Sequence, residues 1–294
     1  MKRSISLWVL TLCGALLLAP ATPVAAEEPV SFDVASLPMP AVQDKARFMA
    51  SMEPLPLHDK KMLPLRYERF QALKNNKDLW RDKESQAFLL TSREEFVLPQ
   101  NLKRTYDHAF LDIGYGVTIS GPHLVMRMTS ALDVQPEDRV LEVGTGSGYQ
   151  SAILAHLSNH VYTVEIIEPL HQRTRELYTK LIDKGYGEYV NVHLKSGDGY
   201  YGWEEMGPFN KIIVTCAIDH IPPPLLKQLA PNGVMVIPVG PPGKQTLLEV
   251  RKEVNTDGKT TITRKDVYNG RKSVSFVPFT KKEGGGTWSG KGLQ

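Results

Sequence analysis

Short apolar runs alternating with stretches of helical spacing mark the middle of the chain. Residues 139–143 (Arg-Val-Leu-Glu-Val) have strand length and meet a glycine-rich turn, and residues 149–157 continue with a helix-compatible pattern. Residues 161–165 predict a second strand, and residues 169–184 a helix with proline in its first turn. Further strands are predicted at 190–194, 211–215 and 234–239, with a helix over 222–229 before the last. Strands taking turns with helices predict βαβ units around a mostly parallel sheet, an α/β, Rossmann-like doubly wound fold. Two later apolar runs, 247–251 and 274–279, flank a polar stretch carrying Asp257-Gly258 and Asn269-Gly270, and predict antiparallel additions at the sheet edge.

Outside that region the pattern changes. Lys2 and Arg3 precede an apolar run from Ile5 to Ala19, then small residues up to Ala26 and Glu27-Glu28. This order predicts a signal peptide over residues 1–26, with an uncleaved anchor as the alternative. Residues 27–92 read as a lead-in. Pro29, Pro38, Pro40, Pro54, Pro56 and Pro64 predict extended chain up to about residue 65, and 66–80 predict one or two amphipathic helices. Residues 93–282 hold the periodic domain, and 283–294, rich in glycine, predict a flexible tail.

Composition narrows the function. With 41% hydrophobic and 23% charged residues the chain has material for a sizeable core. The formal charge is +3, and losing Lys2 and Arg3 with the leader brings it to +1, which gives no support for nucleic-acid or acidic-membrane binding through bulk charge. Two cysteines, Cys13 and Cys216, exclude a disulfide framework or a cysteine-rich zinc site. The histidines show no metal-binding spacing, so no metal is expected.

The chemistry concentrates in residues 140–150, Val-Leu-Glu-Val-Gly-Thr-Gly-Ser-Gly-Tyr-Gln. Gly144, Gly146 and Gly148, with Thr145 and Ser147 between them, follow a buried strand and open a helix, so the backbone can turn sharply and let a ligand approach. Amides at the helix start suit a carboxylate or phosphate. Glu165 ends the next strand, where an acid can accept hydrogen bonds from ribose hydroxyls. The Gly-x-Gly-x-Gly spacing departs from the dinucleotide fingerprint, and Glu142 inside the turn suits an ammonium group better than a pyrophosphate. Together with Asp198 and Gly199 after the third strand, Asp198 placed for an adenine amino group, the pattern points to S-adenosylmethionine.

These residues resemble the protein-L-isoaspartate O-methyltransferase family. The likeness runs from about residue 92 to 282 and includes Arg93-Glu-Glu-Phe-Val-Leu-Pro99, Tyr106-Asp107, Ile113-Gly-Tyr-Gly-Val-Thr-Ile-Ser120, Pro122-His123, Pro238-Val-Gly240 and Phe276-Val-Pro278 beside the cofactor motifs. It implies a class I methyltransferase in which Ser120 is the active-site hydroxyl, Thr118 and Ile119 line the substrate cleft, and Val277 helps shape its mouth. It also implies isoaspartyl (and D-aspartyl) proteins and peptides as substrates, and a monomer. Val117 stands where the family often has glutamine, and Cys216 where alanine is usual. The leader implies a periplasmic or secreted protein, whereas the family usually works in the cytoplasm. An exported non-catalytic nucleoside-binding protein and a methyltransferase for another carboxylate therefore stay open at this point.

Overall fold

Residues Arg139–Val143 (β3) are apolar on both sides of the strand: Val140 packs toward one face, Leu141 and Val143 toward the other, and all three are buried. A strand with no wet face belongs in the interior of a sheet covered on both sides. The computed structural model shows such a sheet, and it describes residues 32–279 apart from 39 and 55–57. The expected leader and the glycine-rich tail lie outside the described residues.

The chain enters through three helices, α1 (Lys45–Met52), α2 (Leu63–Asn75) and α3 (Asp82–Leu90). A two-residue-per-strand hairpin, β1 (Leu111–Asp112) and β2 (Thr118–Ile119), leads into α4 (Pro122–Leu132). After β3 come α5 (Tyr149–Ala155), β4 (His160–Glu165), α6 (Glu168–Asp183), β5 (Val192–Ser196), β6 (Phe209–Val214), α7 (Pro223–Gln228), β7 (Leu229–Val239), β8 (Thr246–Val254) and β9 (Thr260–Asp266). The seven-stranded sheet has the order β5-β4-β3-β6-β7-β8-β9; its first five strands are parallel and β8 and β9 are antiparallel additions. Helices α1 to α6 share one apolar cluster on one face, and α7 packs with the other cluster. Because the chain winds from β3 outward to β5 and then returns to β6 beside β3, the winding direction reverses between β3 and β6. Ligand crevices form at such a point, outside the carboxyl ends of the strands.

Three sequence expectations are corrected. The run 274–279 is not a strand; it touches the sheet through isolated bridges at Val274 with Gln245 and Pro278 with Ala217. The edge strand is instead β9, formed by the polar stretch before it, with every side chain exposed or half-buried. Residues before 65 are also not simply extended. Helix α1 buries Phe48 and Met52, and Pro64 sits in the first turn of α2, a position proline suits because that turn's amides have no helical partners. Nor does the fold break near residue 92. Buried Arg66 of α2 donates to Glu94 Oε1 (2.7 Å), to the Tyr106 hydroxyl (2.8 Å) and to Leu89 O (2.9 Å), joining the lead-in to the rest.

Candidate active site

The turn after β3 is tied down from three sides. Gly144 N and Thr145 N donate to Val164 O (2.9 and 3.3 Å), Gly146 N to Glu165 Oε2 (2.8 Å), and Thr215 N to Val143 O (2.9 Å). From α6, the Thr174 and Tyr178 hydroxyls donate to Gly146 O (2.7 Å) and Gly148 O (2.6 Å). Gly144 has φ 98, and a Cβ there would stand 2.5 Å from Thr215 Oγ1, so no other residue fits.

Two cavities meet at this turn. One holds about 570 Å³ and is lined by Gly144, Gly146, Glu165, Ile166, Ile167, Gly199, Thr215, Cys216, Val277 and Phe279, among others. The second, about 430 Å³, is lined by Ile119, Ser120, Glu142, Thr145, Ser147, Tyr149, Gln150 and Phe276. Thr118, Gly144, Gly146 and Thr215 face both. The structure thus brings together Thr118, Ile119, Ser120, Glu142, Gly144, Thr145, Gly146, Ser147, Glu165, Gly199 and Val277. Gly148 and Asp198 line neither cavity. Gly148 lies under Thr174 and Tyr178, and Asp198 Oδ1 accepts from Tyr200 N (2.9 Å), capping the turn that carries Gly199.

Glu142 is fully buried. The Thr163 hydroxyl donates to its Oε2 (2.7 Å), the Ser151 hydroxyl donates to the same oxygen, and Thr145 Oγ1 lies 2.7 Å from Thr163 Oγ1. Its Oε1 has no hydrogen-bond partner among the described residues. Burial pushes its pKa up to about 8, against the two hydroxyls and with the help of nearby Glu165. A buried carboxyl oxygen left over on a cavity wall has the chemistry to accept from an ammonium group. Glu165 is also buried, and burial raises its pKa although Gly146 N and Ile167 N (2.9 Å to Oε1) donate to it. Each of its oxygens keeps a lone pair for a ligand hydroxyl. Apolar Ile166 and Ile167 beside it offer a wall for a flat base. The sequence reading missed them because nothing in their spacing separates a cofactor wall from core.

Ser120, the residue after β2, is half-buried, and its hydroxyl makes no hydrogen bond to the described residues. Its carbonyl accepts from Arg93 Nη2 (2.8 Å). Val117, at the expected glutamine position, keeps the hairpin through its main chain: Ile113 N donates to Val117 O and Val117 N to Gly114 O (both 3.2 Å). A side-chain change leaves those bonds alone. Cys216 is half-buried on the first cavity's wall, and burial raises its pKa, so the thiol stays protonated. No group of three or more His, Cys, Asp or Glu among the described residues is placed to hold a metal.

A family model described as Protein-L-isoaspartate(D-aspartate) O-methyltransferase matches residues 66–284. A Protein-L-isoaspartate O-methyltransferase 2 of Polaromonas sp. is 48% identical over 189 residues, covering 64% of this chain and 83% of the relative. A Protein-L-isoaspartate O-methyltransferase 1 of Cupriavidus necator is 45% identical over 191 residues, 65% of this chain and 68% of its own. Among solved structures, a protein-L-isoaspartate O-methyltransferase superposes with a TM-score of 0.59 at 26% identity, over 72% of this chain and 64% of that one. A Plasmodium falciparum structure in complex with S-adenosyl-L-homocysteine shares the fold at TM-score 0.59 and 24% identity, over 73% of this chain and 98% of its own.

Proposed function

Because the chain belongs to the protein-L-isoaspartate(D-aspartate) O-methyltransferase family, we propose that its paired cavities transfer a methyl group from S-adenosylmethionine to the free carboxylate of L-isoaspartyl and D-aspartyl residues in damaged proteins. The observation that carries this reading is the meeting of a nucleoside-sized cavity and a Ser120-lined cavity at one glycine turn. When bound, the cofactor supplies an electrophilic methyl group on a sulfonium. Glu142 holds its ammonium, Glu165 its ribose hydroxyls, and the turn 144–148 its carboxylate. Ile166, Ile167 and Gly199 enclose the base, with Asp198 at the base's amino edge.

The nucleophile belongs to the substrate. A carboxylate with a pKa of ~4 is already ionised at neutral pH, so the protein has no proton to remove. Its task is orientation and the exclusion of water, which can supply about 7–11 kcal/mol of the barrier. The Ser120 hydroxyl would donate to one carboxylate oxygen and leave the other free to take the methyl group as its bond to sulfur breaks, with S-adenosylhomocysteine as the leaving group. Thr118, Ile119 and Val277 shape the entrance for the flanking peptide. The resulting methyl ester cyclises to a succinimide as the backbone amide nitrogen displaces methanol, and addition of water returns some normal aspartate. No feature favours the non-catalytic alternative, since the acids of the turn and the serine beside them converge on one crevice.

The test is methyl-ester formation on an isoaspartyl peptide against its aspartyl twin. Wild-type protein should methylate only the first. Ser120→Ala removes one hydrogen bond to a charged group, so kcat/KM should fall by about 10–100-fold. Unchanged turnover in Ser120→Ala would sink the assignment. The charge, apolar run and small residues of 1–26 support export to the periplasm or beyond, and no helix among the described residues is long and apolar enough to cross a membrane. Cell fractionation with sequencing of the mature N-terminus should find Glu27 first; a cytoplasmic protein that retains Met1 overturns export.

A further inference from the structure

Among the described residues two guanidinium groups are completely buried, and they are treated differently. Arg66 faces an acid: its Nη2 pairs with Glu94 Oε1 at 2.7 Å. Arg93 faces none. Its Nε donates to Thr105 O (2.8 Å) and its Nη2 to Ser120 O (2.8 Å), its guanidinium carbon lies 4.5 Å from the Tyr149 ring centroid, and among the described residues no carboxylate pairs with it. The guanidinium and the Tyr149 hydroxyl lie close enough to interact, but among the described residues neither Arg93 Nη1 nor that hydroxyl, both buried, has a well-formed hydrogen bond. Isolated buried charges are expensive and are normally paired or neutralised, so a buried cation that keeps two carbonyls and a π-face but no anion is an unfinished site.

What Arg93 touches shows which anion is missing. Ser120 and Tyr149 both line the second cavity, so the guanidinium stands directly behind the wall against which the substrate's carboxylate is placed. We propose that Arg93 is the charge-selecting and positioning residue of this site: it fixes the Ser120 backbone and supplies the uncompensated positive charge that makes the Ser120 cavity take a carboxylate and refuse the corresponding amide. This inference rests on the methyl-transfer reading above, for which it specifies how an anionic group is distinguished. The other ionisable wall of the same cavity does not cancel the charge. Without cofactor, Glu142 accepts two hydroxyl hydrogen bonds and titrates only at about 8, so it is mostly neutral at pH 7; with S-adenosylhomocysteine bound, its charge is paired with the ligand's ammonium. Burial pulls the Arg93 pKa down, with the Tyr149 and Tyr106 phenols opposing, yet guanidinium starts high enough to stay charged.

The experiment compares binding of a short L-isoaspartyl peptide with its twin in which that free α-carboxylate is a carboxamide. Both are titrated calorimetrically into full-length protein saturated with S-adenosylhomocysteine. Wild type should prefer the carboxylate by about tenfold or more, and because the charge is buried the preference should survive high salt. Arg93→Lys keeps a charge but not the fork, so it should keep the preference within about threefold while kcat falls as Ser120 loses its anchor. Arg93→Met should bring the two peptides to near-equal affinity, with S-adenosylhomocysteine binding little changed, a pattern that a loosened fold does not produce. Should Arg93→Met fail to fold, the wild-type salt series and Arg93→Lys decide the matter. A wild-type preference that is absent or screened away, one lost in Arg93→Lys, or one kept in folded Arg93→Met overturns the proposal. Methylation by wild type without any carboxylate preference would remove this inference alone; absence of methylation would remove the activity itself.

Discussion

A carboxyl group that is mostly protonated at neutral pH cannot hold an ammonium until it gives up its proton. Glu142 is in that position, with a pKa near 8 caused first by burial and with Oε1 lacking a partner. A ligand ammonium arriving at Oε1 favours the charged form and pulls the pKa down. Binding of S-adenosylhomocysteine, which carries the same ammonium, should therefore release up to one proton at pH 7 and almost none at pH 9. Titrations in buffers of differing ionisation enthalpy read this directly, as a slope of apparent binding enthalpy against buffer enthalpy. Glu142→Gln should abolish the slope and weaken binding by about tenfold or more, since a charged hydrogen bond is lost. A slope of zero in the wild type would mean that Glu142 is already ionised, or that the ammonium binds elsewhere.

At the scale of elements, the parts that build the crevice were legible because periodicity and glycine placement agree there. Strand β3 was predicted with its observed bounds, β4 and α6 to within a residue or so, and the acids Glu142 and Glu165 stood out as charges within or ending apolar runs. Elements failed to show where one face is not different from the other. Helix α4 buries nine of its eleven residues, Thr129 and Ser130 among them, so only His123 and Arg127, one turn apart, mark its outer side, and it went unpredicted. Strand β9 has the opposite problem: it buries nothing, and seven backbone pairs with β8 hold a sequence of threonine and charge in the ladder. The apolar run 274–279 looked more like a strand but is spent on bridges and on the walls of both cavities, through Phe276, Val277, Pro278 and Phe279. Arg93 was visible only as part of a family-like motif; its role needs Ser120 and Tyr149, which lie far along the chain and meet it only in the folded state.

For the whole molecule, burial of ionisable groups in both directions fixes where on the pH scale the fold is most stable. His58 Nδ1 lies 3.1 Å from Arg66 Nη1, which can only donate, so the ring must accept and stay neutral; its pKa is lowered to about 3 by burial and by Arg66. Burial likewise takes His156 to about 3 and, with His108 next to it, His123 to about 4. Unfolded, all three take up protons below about 6.5, so stability is lost as pH falls through that range. Glu188 and Glu142 act in the opposite sense. Burial raises them to about 7 and about 8, so the folded state holds protons that an unfolded chain releases above about 4.5, and stability is lost as pH rises toward 8. The His156–Glu188 contact at 3.5 Å is accordingly a neutral pair below about pH 7, not an ion pair. His108 and His193, lowered by burial, add to the first limb, and Asp78, Glu84 and Glu165, raised by burial, to the second, so the two oppose each other below about pH 6.5; above it the histidines are neutral in both states and only the acids act, so the ligand-free protein should lose melting temperature between pH 6.5 and 8. Glu188→Gln should flatten the alkaline limb because it removes one of the ionisations that drives it. Saturating S-adenosylhomocysteine should flatten it further, because an ionised Glu142 then has a partner. A melting temperature that keeps climbing between pH 6.5 and 8 in the ligand-free wild type would show that these acids are charged in the folded state, and that the proton release argued for Glu142 does not occur.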